Sequence, residues 1–221
     1  MSFRSSSAAG GGLARFFGDR TFAHSLVRIA LPVTLQSMLR ASFSIIDQVM
    51  IGQLGSASIS GIGLGGKFAS IHNVVLSAVA AAGAILISQY LGQGNRKNAA
   101  RSYSINLLVS LAIAALFTLV STQFAGPILG LYTQDDATRA LGQTYLQTYA
   151  WSFFPAALSS MAETLLCCME AAVFPLIASI TSLCINTALN YLLIFGHGGL
   201  PALGVQGAAV ASVAAQVVSC V

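Results

Sequence analysis

The chain has 221 residues, 56% of them hydrophobic and only 7% charged, with 10 Lys and Arg against 6 Asp and Glu, a net charge of +4 and a mean hydropathy of +0.79. A soluble domain carries about 25% charged residues, so this composition excludes that class and describes a chain that crosses a membrane several times. The basic excess does not read as a nucleic-acid surface, because it is gathered in short hydrophilic gaps with no basic stripe interleaved with aromatics.

Residues 1–24 are rich in Ser, Gly and Arg, without an apolar core or a cleavage pattern. They read as a disordered cytoplasmic tail and not as a signal peptide. A bilayer-spanning helix needs about 20 apolar residues, and the first is predicted over residues 26–51. Pro32 lies one to two turns inside it, where a lost backbone hydrogen bond bends the helix. Gln36, Arg40, Ser44 and Asp47 recur at i, i+4, i+8 and i+11, a single stripe predicted to face the bundle interior. Leu39, Phe43, Ile46 and Met50 are expected on the opposite side, against lipid or packing.

Asp47 stands near the end of this span, just before a Gly-punctuated exit. An ionised carboxylate in hydrocarbon costs about 2.5–3.5 kcal/mol on insertion scales. It must find a partner, face a wet cavity or take up a proton, and each of these points to transport. The bland alternative is a structural pair with Arg40, seven residues back. About 10 Å of helix rise makes direct contact a stretch for both side chains. Arg40 stays open between a lumen-facing pair with Asn186 or Glu163 and an active role, opposing protonation of Asp47 or repelling cationic compounds.

Residues 57–91 are too long for one span and too short for two, and are expected to form one long tilted helix with a Gly-rich entry. Residues 61–66 match GxGxxG, yet no strand precedes them and no ribose-binding acid follows, so a dinucleotide site is rejected. Gly61 and Gly65 also form a GxxxG pair, and residues 78–84 a small-residue face; both favour close helix contact. Lys67 and His72 are candidates for cavity lining, with snorkelling the plainer account of Lys67.

A basic loop with Arg96, Lys97 and Arg101 precedes a third span over residues 99–124. An acidic loop around Gly126-Pro127 and residues 133–139 carries Asp135 and Asp136. The fourth span covers residues 141–166, with Tyr145, Tyr149 and Trp151 toward its start as an interfacial belt, and Tyr145 also a possible cavity-lining residue. Glu163 lies inside it as a second candidate for proton handling, while Glu170 reads as solvated. A fifth span covers residues 174–195, where Asn186 and Asn190 share one face at i and i+4 and can hydrogen-bond across helices. A turn at His197 leads to a sixth span starting near Leu203. The apolar run 208–221 has no interfacial anchor beyond it, which reads as a sixth helix cut short. Cys167, Cys168, Cys184 and Cys220 all lie in apolar stretches with no CxxC or Cys/His spacing, so no metal site is expected and they read as small apolar filler.

Seven of the ten basic residues fall in the N-terminal stretch or the Arg96 loop, which puts the N-terminus in the cytoplasm by the positive-inside rule. The expected fold is all-α: a polytopic membrane bundle of six transmembrane helices over residues 25–221. No Ser/His/Asp set, HExxH or P-loop is present, so neither an enzyme nor ATP-driven transport is expected.

Ile29-Ala30-Leu31-Pro32, Ile46-Asp47-Gln48-Val49-Met50-Ile51-Gly52 and residues 87–95 (ISQYLGQGN) resemble the first two helices of the multidrug and toxic compound extrusion (MATE) transporters. Residues 184–196 (CINTALNYLLIFG) and 202–209 (ALGVQGAA) resemble that family's fifth helix and the entry to its sixth. The resemblance covers residues 25–221 and implies one six-helix lobe of a two-lobe transporter, the lobes being related by a pseudo-two-fold axis along the membrane normal. It implies a secondary antiporter coupled to inward H+ or Na+ flow, with no other cofactor, exporting amphiphilic and cationic compounds across the plasma membrane (the inner membrane in a Gram-negative cell). Asp47 then matches the first-helix acid that takes up the coupling proton, Pro32 the proline about which that helix bends, and Asn186 an Asn of the acid's hydrogen-bond network. Asn190 stands where some members carry Asp. The loop before the fifth helix keeps only its proline, Pro175, and loses the basic residue and glycines usual there. The expected partners are the bilayer, an amphiphilic small molecule, and the missing C-terminal lobe or a second copy. Two alternatives stay open: a truncated remnant that inserts without transporting, and a flippase for lipid-linked precursors.

Overall fold

The computed structural model describes residues 20–196 and 201–220, with side chains from Leu26 onward. Among the described residues there are only helices and turns: α1 (Arg20–Gly52), α2 (Ser56–Gly92), α3 (Arg96–Gln123), a short α4 (Ala125–Gly130), α5 (Asp136–Tyr149), one 3₁₀ turn (Ala150–Ser152), α6 (Phe153–Cys168), α7 (Val173–Phe195) and α8 (Gly204–Cys220). α1, α2, α3 and α7 are each long and apolar enough to cross a bilayer, and α8 is a shorter apolar helix of 17 residues. α5, the 3₁₀ turn and α6 follow one another without a gap and lie where the fourth span is predicted.

Several boundaries differ from the predicted ones, each for a local reason. α1 begins at Arg20, inside the stretch expected as a tail. Residues 1–19 and the His197 turn lie outside the described residues. The basic loop is shorter than expected, because Asn95 caps α3 by accepting from the Asn98 N–H at 3.1 Å, which folds Arg96, Lys97 and Arg101 into the first turns of the helix. Pro127 sits in the first turn of α4, where a missing N–H costs nothing. Asp135 caps α5 in the same way, accepting from the Thr138 N–H at 2.9 Å, so the fourth span starts earlier than predicted. That span is also broken. Pro155 has no N–H to offer the Trp151 carbonyl, and the chain tightens into a 3₁₀ turn just there.

α2 is a single helix of 37 residues, about 55 Å long at 1.5 Å per residue. That exceeds a hydrocarbon core of about 30 Å, as a tilted span would. Its glycines meet α5 at very short range. A Cβ on Gly61 would lie 2.9 Å from both the Gly142 nitrogen and the Thr138 carbonyl, and one on Gly65 would lie 2.9 Å from Tyr145 Cδ1. Further along, Gly83 lies under the Asn106 side chain of α3. The GxxxG pair is therefore a helix-packing seam. Beside it Ile62, Tyr145, Ile194, Val205, Ala208 and Ala209 form a buried core.

His72 does not line a cavity. It is 0% exposed, stacked on Phe153 at 4.2 Å and edge-on to Phe117 at 5.2 Å, and neither ring nitrogen has a partner among the described residues. Tyr145 is likewise core and not belt, 8% exposed and stacked on Tyr149 at 5.5 Å. Trp151, 61% exposed, keeps a position suited to an interface.

α1 is the least embedded helix. From Leu26 onward only Pro32 and Gln36 are buried, while Leu31, Met38, Ile45 and Val49 are exposed. The helix packs on α7 and, less extensively, on α2. Its half-buried positions are Ile29, Leu39, Phe43, Asp47, Met50 and Ile51, so three of the residues expected opposite the polar stripe share its packed face. Arg40 and Ser44 lie at the exposed edge. The reason is helical drift: positions 36, 39, 43, 47 and 50 fall in one line at 3.6 residues per turn, and the eight-residue step from Gln36 to Ser44 does not.

Candidate functional site

α1 and α7 run in the same direction and are tied twice in the same register. Gln36 Nε2 donates to Ser179 Oγ at 2.7 Å, and Asn190 Nδ2 donates to Asp47 Oδ1 at 3.0 Å. Both pairs are 143 residues apart, so the two ties are about 16 Å apart along each helix.

At the Asp47 tie, Asn190 is 2% exposed and spends its second amide proton on Asn186 Oδ1 at 3.1 Å. Its own oxygen is buried without a partner among the described residues. Asp47 is half-buried and accepts from the Asn190 amide of α7, which is bonded in turn to Asn186; among the described residues no Lys, Arg or His forms an ion pair with it. The structure thus brings Asp47, Asn186 and Asn190 together. Among the described residues no three His, Cys, Asp or Glu side chains converge, so a cation here would rest on one carboxylate and neutral oxygens, of which the orphaned Asn190 Oδ1 is the first. Such oxygens suit a hard ion, and the carboxylate alone suits a proton.

At the other tie the charge is already balanced. Gln36 Nε2 also donates to Glu163 Oε1 at 3.1 Å, and Arg40 Nη2 reaches Glu163 Oε2 at 3.4 Å and Ser179 Oγ at 3.2 Å. Of the partners open to Arg40, the structure takes Glu163. Neither Asn186 nor Asp47 contacts it. The Arg40 and Glu163 side chains are 54% and 33% exposed, and a single long contact between such groups contributes about 0–1 kcal/mol. Pro32, buried one turn before Gln36, leaves the Arg28 carbonyl without its helical donor.

Arg40 and Glu163 open onto a cavity of about 910 Å³ between α1, α2, α6, α7 and α8. Asn73, Ser160 and Gln216 give its wall further polar groups, and Phe153 and Phe174 give apolar ones. Gln36 lies behind this wall, held to two of its residues. Lys67, exposed on α2, does not line it, and neither does Tyr145.

Ser179 is the functional candidate that sequence reasoning passed over. The signal was present, since Ser179, Asn186 and Asn190 recur at i, i+7 and i+11 on α7, one face that repeats the 11-residue step from Gln36 to Asp47 on α1. The four cysteines are free thiols.

Solved structures share this fold. A crystal structure of a variant of the Vibrio cholerae MATE transporter VcmN superposes with a TM-score of 0.82 at 17% identity, covering 92% of this chain and 46% of that one. A MOP superfamily transporter from Pyrococcus furiosus superposes with a TM-score of 0.79 at 19% identity, covering 89% of this chain and 42% of that one. In sequence the chain is 30% identical over 184 residues to a probable multidrug resistance protein NorM of Rhizobium meliloti, and 30% identical over 194 residues to one of Agrobacterium fabrum. These matches cover 83% and 87% of this chain but 39% and 42% of the relatives, so the chain spans about two fifths of their length. The MatE family model matches residues 32–192, both helix ties included, and the chain belongs to the MatE family of membrane transporters.

Proposed function

We propose that this chain is one lobe of a secondary antiporter that expels amphiphilic, often cationic compounds, coupled to H+ or Na+ entry at Asp47. The observation that carries this reading is the Asp47–Asn190–Asn186 chain on the least embedded helix. A carboxylate that accepts an amide N–H makes a charge-assisted bond, about twice as strong as the neutral one left after protonation. Proton uptake at Asp47 weakens the tie that holds this end of α1 to α7. The Gln36 tie is unaffected by that event, so α1 pivots near Pro32, changes the shape of the cavity beside Arg40 and displaces its occupant. The orphaned Asn190 oxygen supports Na+ as the competing coupling ion.

The facing wall of the transport path is supplied by a second lobe or a second copy. The exposed apolar residues of α1 and α3 meet lipid or that partner. Arg28, Arg96, Lys97 and Arg101 all lie toward the end where α1 begins and α2 ends, which supports a cytoplasmic position for that end in a plasma or inner membrane.

The test is efflux of ethidium from cells expressing the chain, with and without a proton gradient. Export is expected to follow the gradient, and Asp47→Asn to remove that dependence. Gradient-dependent export unchanged in Asp47→Asn overturns the coupling role.

A further inference from the structure

Cys167 and Cys168 are the last two residues of α6, both partly exposed and both free thiols. Neither takes part in the helix ties or in the cavity wall. Adjacent cysteines lack the spacing of a closed metal site, yet two thiols side by side meet a smaller demand, two bonds to one atom. Their Cα atoms lie about 3.8 Å apart across a trans peptide, closer than the roughly 4.4–6.8 Å that a disulfide spans. A direct S–S bond is therefore disfavoured, whereas a larger atom set between the sulfurs lengthens the bridge. The two thiols are within electrostatic reach of each other. Cys168 Sγ has one weak contact, with the Ala84 carbonyl of α2 at 3.6 Å, and the Cys167 thiol makes no hydrogen bond among the described residues. Little has to be broken for both sulfurs to turn to a ligand.

Charge decides which ligand suits the pair. Glu170 follows two residues after Cys168, the last turn of α6 holds no basic residue, and no Lys or Arg occurs in the chain after Arg139. The carbonyl end of the helix adds a partial negative charge. Glu163, one turn before Cys167 and within its electrostatic reach, already shares Arg40. A monovalent cation on two thiolates leaves a net negative charge that nothing there balances. An acceptor that takes two thiolates and ends neutral meets no such cost. We infer that Cys167 and Cys168 form a dithiol site for thiophilic acceptors of two bonds, of the mercury(II) and organoarsenic(III) kind, where α6 turns toward α7. Thiolate sulfur is the soft donor such centres prefer. Each thiol gives up its proton and forms one bond to the acceptor. Mercury(II) releases two protons in this way, and an aryl arsenoxide loses its oxygen as water, with no change of oxidation state in either case.

The probe is phenylarsine oxide, titrated against the reduced, purified chain in detergent. The wild type is expected to take up one phenylarsenic group, seen by intact-protein mass spectrometry, and to lose two of its four thiols to Ellman's reagent. The adduct is expected to survive glutathione, a monothiol, and to be removed by 2,3-dimercaptopropanol. Cys167→Ser and Cys168→Ser are each expected to weaken uptake by about a hundredfold or more, the gain that a second tethered donor supplies. The double variant Cys184→Ser/Cys220→Ser is expected to keep the wild-type affinity.

Uptake in the wild type no tighter than in either single variant, uptake that persists in Cys167→Ser, or uptake lost in the Cys184/Cys220 double variant each overturn the inference. Should a variant lose its helical circular dichroism, alkylation of the wild-type adduct with iodoacetamide decides. Cys167 and Cys168 are expected to be spared and Cys184 and Cys220 modified; alkylation of Cys167 or Cys168 in the adduct overturns the site. The readout needs no gradient and does not involve Asp47, so its failure leaves the coupling reading standing, and loss of Asp47-dependent export leaves this site standing.

Discussion

α2 meets α5 through glycine, while α1 meets α7 through amides and a carboxylate, and the two contacts are built for opposite ends. In the first, backbone lies so near backbone that not even a methyl group fits: a Cβ on Gly61 would lie 2.9 Å from the Gly142 nitrogen. Small residues of this kind hold membrane helices by van der Waals contact, which falls away steeply once they separate. In the second, side chains bridge the gap, and each bridge can exchange its partner for water, an ion or a ligand. A glycine seam fixes two helices. A polar seam, in a helix pair that is otherwise loosely packed, gives them an alternative.

That contrast can be broken most forcefully at the glycine seam. Gly61→Leu is expected to destabilise the bundle by about 3 kcal/mol or more, the upper range for overpacking against immovable atoms, read as a collapse of the thermal unfolding midpoint in detergent. The polar seam is expected to be more forgiving. Gln36→Leu removes two hydrogen bonds, leaves Ser179 and Glu163 each short of a donor, and is expected to cost about 1–3 kcal/mol. A loss as large as that of Gly61→Leu would erase the distinction between the seams.

Two substitutions at helix ends sharpen the comparison with smaller effects. Glu170, in the turn that leads into α7, holds a left-handed backbone with φ 58°, a conformation that glycine adopts without steric cost. Glu170→Gly is expected to stabilise by about 0.5–1 kcal/mol, seen as a rise in melting temperature with the Asp47 tie intact. The smallest effect is expected at the cap of α5. The Thr138 hydroxyl and N–H donate to Asp135 and hold its carboxyl below the usual carboxylate range. The stabilisation this gives is present in full above the unfolded value and is lost as pH falls through the lower folded one. Asp135→Ala is therefore expected to melt slightly below the wild type at pH 7, with the gap closing toward pH 2; a gap independent of pH would refute the charged cap.

The sequence reading reached the crossings readily because hydrocarbon imposes a length on each apolar run. It placed GxxxG in a packing role and joined Asp47 with the two Asn of α7 as one expected group. It misjudged residues whose environment depends on other helices. Tyr145 was expected at an interface and lies in the core, since Gly65 leaves room for its ring. His72 was expected near a cavity and is enclosed by Phe117 and Phe153 from two other helices. Ser179 carries the same 11-residue step as Asn190, yet a serine in an apolar helix gives no sign by itself of which helix it faces.

By itself, then, the sequence determined that the chain is a bundle of membrane spans, roughly where they lie, with the starts of α1 and α5 more than a turn earlier than expected, and which acid stands out within them. Those follow from local rules: the cost of burying polar groups in lipid, the period of a helix, the chemistry of its caps. Tertiary structure alone decided that α1 and α7 lie parallel in a shared register and that Arg40 takes Glu163, brought to it by α6. Pairing between segments more than a hundred residues apart is fixed by how all the helices pack at once, and no single stretch of chain encodes it.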